Sequence, residues 1–189
     1  MSHFIIGVIG QNGSGKDEVV KYLHHRYGIP LLSTGDMVRR IAAEKGIEPS
    51  RPNLQKISEE YFRQHGRGCF VRLMVEQIKK NHWKTAGITG IRSPEDVRIL
   101  KDAFGRNFTL VHVYVSNPRV RYERMVKRSE ARDSQSYEQF LANDRREEEI
   151  FSLSEAIKQA DYNLSNDGTL ADLHRQIEKL VKNTLLKNQ

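Results

Sequence analysis

Short apolar runs rich in β-branched residues alternate along this chain with longer stretches whose apolar positions recur every three or four residues. The short runs predict strands over 4–9, 30–33, 86–89, 109–115 and 162–164, and VHVYV at 111–115 reads as the clearest buried strand. The longer stretches predict helices, each with its own punctuation. One runs from Ser14 to about Tyr27. Another follows Ser33-Thr34-Gly35, occupies 36–45 and stops at Gly46. Asn53 stands where a cap would open a helix ending at His65, just before Gly66. Phe70, Leu73, Met74 and Ile78 give 69–80 helical spacing. Ser93 caps a further helix, with Pro94 at its first position and Asp96 in its first turn. In the last helix Leu170, Leu173, Ile177, Leu180 and Val181 fall on one stripe, which predicts core rather than a partner surface. Strands alternating with helices predict crossover units, hence an α/β fold with a parallel sheet covered on both faces.

Composition narrows this picture. The 189 residues suit one domain with a full core. No repeat or linker divides the chain, and the polar stretch 129–136 reads as a mobile insertion between two helices. Apolar runs fall short of the ~20 residues of a membrane span. No basic segment leads into a long apolar one near the N-terminus, so neither membrane insertion nor secretion is expected. The single cysteine, Cys69, excludes an internal disulfide, and no Cys/His cluster has zinc spacing, so a reducing cytoplasm is the expected home. The net charge of +7 favours anionic partners. A nucleic acid would need a diffuse basic face, yet the chain lacks a run of five basic residues and an aromatic stacking strand. A small polyphosphate held by converging arginines is the favoured partner, with nucleic acid second. The chain is compatible with a monomer, or with a homodimer formed through an edge strand or Trp83.

The chemistry begins directly after the first predicted strand. Residues 10–16 read GQNGSGK, which is the P-loop order of strand, glycine-rich turn, lysine and helix. Gly10, Gly13 and Gly15 let successive N–H groups of Asn12, Ser14 and their neighbours turn inward around a phosphate. Lys16 adds a point charge for β/γ-phosphate oxygens. The strict motif continues with Ser or Thr, whose hydroxyl holds Mg²⁺. Here Asp17 stands in that place, followed by Glu18.

After the second predicted strand comes STGDMVRR, residues 33–40, which resembles the signature of adenylate kinases and related nucleoside monophosphate kinases. GIRSPED at 90–96 resembles the family's Asp-Gly-x-x-Arg region in a shortened form, typical of an adenylate-kinase-related branch frequent in archaea. The resemblance runs over residues 4–181 and implies a three-layer P-loop kinase with strand order 2-3-1-4-5, an acceptor-binding insertion over about 34–82 and a lid over about 129–146. It also implies ATP and Mg²⁺ as co-substrate and cofactor, and a nucleoside monophosphate as acceptor. Thr34 and Gly35 would then meet the acceptor nucleotide, Arg39 and Arg92 would grip its phosphate, and Asp36 would support the metal through water. Independently of any family, Asp36 and Arg39 are three apart and share a helix face. The pattern departs from the family at two places near the metal: Asp17 replaces the hydroxyl, and Thr89 replaces the aspartate that usually precedes Gly90.

Arg121, Arg124 and Arg128 share one face of the helix after VHVYV, Arg132 follows in the polar insertion, and DRRE comes at 144–147. This resembles the family's lid. By that resemblance Arg124 stacks on adenine, while Arg128, Arg132 and Arg145 clamp phosphates; Arg146 or Asn143 could take the place of Arg145. The plain alternative is a solvated hairpin with intrahelical ion pairs through Glu123, Glu147 and Glu148. Asn166-Asp167-Gly168 either resembles the loop whose backbone cradles adenine, with Asn166 and Gly168 at the nucleotide, or forms an ordinary turn. A related possibility is dephospho-CoA kinase, with Asp36 as general base, but that family usually has Asp-Ala-Asp where this chain has Ser33, Thr34 and Gly35. A third is a nucleotide-binding protein with little transfer activity, which the altered metal positions favour.

Overall fold

A computed structural model describes residues 4–128 and 136–187. Five strands, β1 (Phe4–Ile9), β2 (Leu31–Ser33), β3 (Thr85–Thr89), β4 (Phe108–Tyr114) and β5 (Tyr162–Ser165), form one sheet in the order β2-β3-β1-β4-β5. Each neighbouring pair is parallel. The order and the parallel pairing agree with the expectation.

Alternation along β1 sends side chains to two separate cores. Phe4, Ile6 and Val8 meet α1 (Lys16–Tyr27) and α9 (Leu170–Lys187) on one face. Ile5 and Ile9 meet the other core, packed by α2 (Thr34–Glu44), α3 (Arg51–His65), α4 (Cys69–Lys80), α5 (Pro94–Phe104) and α8 (Leu153–Ile157). The remaining helices, α6 (Pro118–Arg128) and α7 (Tyr137–Phe151), pack on one another beside the sheet. The layers are therefore helix, sheet, helix. The turns at the carboxyl ends of β1, β2 and β3 lie together, where such sheets place their ligand crevice.

Several helix boundaries move from their expected places for local reasons. The first begins at Lys16 rather than Ser14, because Gly15 takes a left-handed φ of 94°. The second begins at Thr34, because Ser33 caps it by accepting from the Asp36 N–H. Ser50, not Asn53, occupies the cap of α3; Asn53 instead donates its side-chain amide to the Glu48 carbonyl at 2.9 Å. Ser93 makes a full capping box with Asp96.

Burial also corrects two expectations. Leu173, Ile177, Leu180 and Val181 are core, but Leu170, at the very start of α9, is exposed. In VHVYV only Val111, Val113 and Val115 are buried. On the opposite face His112 is half-buried and Tyr114 exposed, and their rings stack on one another there. Trp83 packs against the larger core. The short α8 had no sequence signal of its own; it is a single turn set off by Ser152 at φ 54°.

Candidate functional site

The loop between β1 and α1 is built from short-range constraints. Ser14 N–H donates to the Gln11 carbonyl at 3.1 Å, and Glu18 N–H to the Gly15 carbonyl at 3.0 Å. Gly13 and Gly15 both hold positive φ, and a Cβ on either would collide: with the Arg121 carbonyl at 2.6 Å and the Asn166 amide at 2.2 Å. The glycines therefore serve close approach by the two neighbouring segments as well as backbone shape. Lys16 opens α1 and is half-buried. The two following carboxylates diverge. Asp17 turns toward the end of β3, where its Oδ1 accepts from the Thr89 hydroxyl at 3.0 Å. Glu18 turns back to His174 of α9, Oε1 to Nε2 3.2 Å.

On one flank of the loop lie the two segments matched to the acceptor site. Thr34 Oγ1 donates to the Gly90 carbonyl at 3.1 Å, and a Cβ on Gly90 would strike that same hydroxyl at 2.1 Å. The start of α2 and the turn after β3 are thus in direct contact, through a glycine at φ 83°. Asp96 fixes that turn from behind: one carboxylate oxygen accepts the N–H groups of Arg92 and Ser93, each at 3.0 Å. Burial pushes the Asp96 carboxyl above its ordinary range, against the pull of those hydrogen bonds. Arg39 pairs with Asp36 at 2.5 Å, and its guanidinium lies 3.5 Å from where a Gly35 Cβ would stand. Arg92 pairs with Glu147 of α7 at 3.4 Å and lies over the Phe151 ring.

The other flank is a buried clamp that sequence reasoning missed. Arg121, 2% exposed, donates to the Asn12 carbonyl at 2.9 Å and pairs with Asp144 at 2.6 Å, with its guanidinium over the Phe140 ring. It shares a helix face with Arg124 and Arg128, as expected, yet it grips the loop backbone rather than pointing into open space. Arg124 donates to the Asn166 carbonyl at 2.8 Å, and its Nη1 is buried without a hydrogen-bond partner among the described residues. Asn166 in turn donates to the Ser14 carbonyl at 2.8 Å. Asp167 accepts from the Ser116 N–H and the Ser116 and Ser165 hydroxyls, which hold its carboxyl below the ordinary range. Gly168 sits against Asp172, whose carboxylate receives the Thr169 N–H at the start of α9.

Of the expected hairpin ion pairs, the one seen among the described residues joins Glu123 to Arg119 at 3.8 Å. Glu148 receives the N–H and hydroxyl of Ser154. Glu147 leaves its helix to accept from the Asn12 side-chain amide at 3.0 Å as well as to meet Arg92. Arg145 and Arg146 are exposed on α7, and Arg128 ends α6. Arg132, with most of the expected mobile insertion, lies outside the described residues. No group of three or more His, Cys, Asp or Glu among the described residues could hold a metal on its own. No described helix is long and apolar enough to cross a membrane.

Comparisons with known proteins agree with this fold. Residues 9–140 match the family described as AAA domain. The chain is 35% identical over 187 residues to a UPF0200 protein of Pyrococcus abyssi, covering 97% of this chain and 98% of that one. Among solved structures, a putative kinase from Chloroflexus aurantiacus superimposes with a TM-score of 0.64 at 16% identity, covering 100% of this chain and 98% of that one. Shikimate kinase from Bacteroides thetaiotaomicron does so with a TM-score of 0.60 at 16% identity, covering 98% and 99%. At such identities the structural likeness establishes the P-loop kinase fold and leaves the substrate open.

Proposed function

The chain belongs to the UPF0200 family, with an AAA domain over residues 9–140, and we propose that it is an ATP-dependent phosphotransferase whose acceptor is a nucleoside monophosphate. One observation carries the reading. The STGD segment and the GIRS turn touch through Thr34 and Gly90, beside a complete glycine-lysine phosphate loop. Arg39 and Arg92 are carried by these adjoining segments, and each is paired with a carboxylate that a phosphate can displace.

In this reading Lys16 holds β/γ oxygens of ATP while loop N–H groups surround the β-phosphate. Arg39 and Arg92 neutralise the acceptor phosphate and aim one of its oxygens at the γ-phosphorus; Thr34 and Gly35 line the acceptor's seat. Arg124, Arg128, Arg132 and Arg145 would gather about the donor as the lid closes, with Asn166 and Gly168 near the base. Phosphoryl transfer asks little covalent help of a protein. It asks for in-line positioning, dispersed positive charge and exclusion of water. Mg²⁺, when bound with the nucleotide, supplies further neutralisation of the phosphate oxygens.

The test is a ligand series read by thermal shift, followed by a transfer assay on whatever stabilises the protein. ATP and a nucleoside monophosphate should each raise the melting temperature, and together they should yield a diphosphate. Lys16→Ala should abolish ATP binding with the fold intact. Stabilisation by dephospho-CoA in place of a monophosphate would reassign the acceptor to a sugar hydroxyl, with Asp36 as the base. Stabilisation without transfer would make the protein a nucleotide-binding module.

A further inference from the structure

The two departures from the usual P-loop pattern are not independent, because they touch. Asp17 immediately follows the loop lysine. Thr89 is the last residue of β3, paired in register with Val8 just before the loop begins. P-loop proteins commonly hold their metal with a hydroxyl after the lysine and a carboxylate at a neighbouring strand end. This chain has the same two groups with their places exchanged, joined by a 3.0 Å hydrogen bond. Thr89 is 3% exposed, so its hydroxyl is anchored in the floor of the crevice. By donating its proton to Asp17 Oδ1 it holds the carboxylate there and keeps its own oxygen lone pairs for another partner.

The donor set suits a hard divalent cation. Mg²⁺ is commonly bound by one or two carboxylates plus substrate phosphates and retained water, so a cage made wholly of protein is not required. An ionised Asp17 beside a bound triphosphate would also repel it, and only a cation between them reverses that sign.

We propose that Asp17 and Thr89 form a transposed cation site, in which the Asp17 carboxylate is the direct protein ligand to a divalent ion and the Thr89 hydroxyl positions it. This rests on the loop being a nucleotide site. Its consequence is specific: a triphosphate and its metal enter as a unit, because the free triphosphate meets a carboxylate. Asp36, the residue the family resemblance nominated, is then left to orient Arg39.

The experiment is equilibrium binding of ATP by calorimetry, with Mg²⁺ and with excess EDTA, on the whole protein and its variants. Wild type should bind ATP about 100-fold or more tightly with Mg²⁺, the repulsion by Asp17 being unrelieved in EDTA. Asp17→Asn should narrow that ratio at least about tenfold from both ends, weakening binding in Mg²⁺ and strengthening it in EDTA. The exchange Asp17→Ser with Thr89→Asp should restore metal-dependent binding. Mn²⁺ in place of Mg²⁺, followed by electron paramagnetic resonance, should show immobilised metal with ATP present in wild type and much less in Asp17→Asn. Equal ATP affinity with and without metal in wild type overturns the proposal without needing any variant. A ratio that survives Asp17→Asn but collapses in Asp36→Asn overturns it and returns the cation to Asp36. Absence of ATP binding under both conditions overturns the nucleotide reading itself, and this proposal with it.

Discussion

Two groups of arginines flank the phosphate loop, and burial separates their roles. Arg121 is enclosed, with 3% of its side chain exposed and 11% of its partner Asp144. Arg39 and Arg92, on the opposite flank, leave 39% and 45% of their side chains in contact with solvent, though each also has a carboxylate partner. A guanidinium taken wholly out of water must keep its partner, so Arg121 is committed to holding Asn12 in place. A half-exposed one loses little when its partner is exchanged for another anion. Residue type is alike in the two groups; the surroundings decide which arginine is architecture and which is available.

The largest expected effect falls on the buried flank. Asp144→Ala leaves the Arg121 charge enclosed and unpaired and should lower stability by about 3–5 kcal/mol. Chemical denaturation measures this directly, and a loss below 1 kcal/mol would place Arg121 among the exchangeable arginines. Next comes Arg92→Ala. Its stability should change by less than about 1 kcal/mol, whereas monophosphate affinity should fall by about 1.5–3 kcal/mol through loss of charged hydrogen bonds. If both quantities fall together, the two flanks do not differ in kind.

A subtler test sharpens the contrast. Glu147→Gln removes the anion that now occupies Arg92 but keeps the amide-sized side chain. Monophosphate should bind more tightly by no more than about 1 kcal/mol, the usual worth of a partly exposed pair. Unchanged affinity in a titration would show that Glu147 and the acceptor phosphate do not compete for Arg92.

The smallest effect lies away from the loop. Tyr22 and Tyr27 of α1 both donate to Glu178 of α9, at 2.6 and 2.5 Å. Partial burial, then the bond to Glu178, push the Tyr27 phenol up to about 12. The folded state therefore holds this proton more tightly than the unfolded one. The resulting stabilisation is complete below the ordinary tyrosine value near 10 and disappears as pH rises through about 12. Ultraviolet titration should show a late-ionising tyrosine that Glu178→Gln brings back toward 10. No such residue in the native titration would remove this lock between α1 and α9.

How much of this could be read from the chain depends on the range of the interactions. All five strands were visible as apolar runs, and the phosphate loop, the Ser93 cap and the STGD and GIRS segments were visible as local patterns. Each of these is decided by residues within a few positions of one another. What stayed hidden was decided across the fold. Nothing near Asp144 marks it as the partner of Arg121, and Glu147 sits among glutamates spaced for ordinary helix pairs. Asn166 looked equally like a turn residue, and only its bond to Ser14 makes it part of the loop. Asp17 and Thr89 were each conspicuous as departures, but their contact across the β1–β3 pairing appeared only when the sheet was in view.

The Asn166 bond also has a meaning for the order in which the molecule can be made. Its amide reaches the Ser14 carbonyl across 152 residues of sequence. During synthesis the glycine-rich loop comes well before the side chain that reaches Ser14, which appears only after the whole sheet has been made. Until then the loop has its own short-range hydrogen bonds and the contacts of Asn12 with Arg121 and Glu147, and the cost of closing so long a stretch must be met by the sheet itself. The fully braced loop is thus an attribute of the finished protein, and a nascent chain stopped before β5 would carry the Arg121 clamp on Asn12 without the Asn166 bond to Ser14.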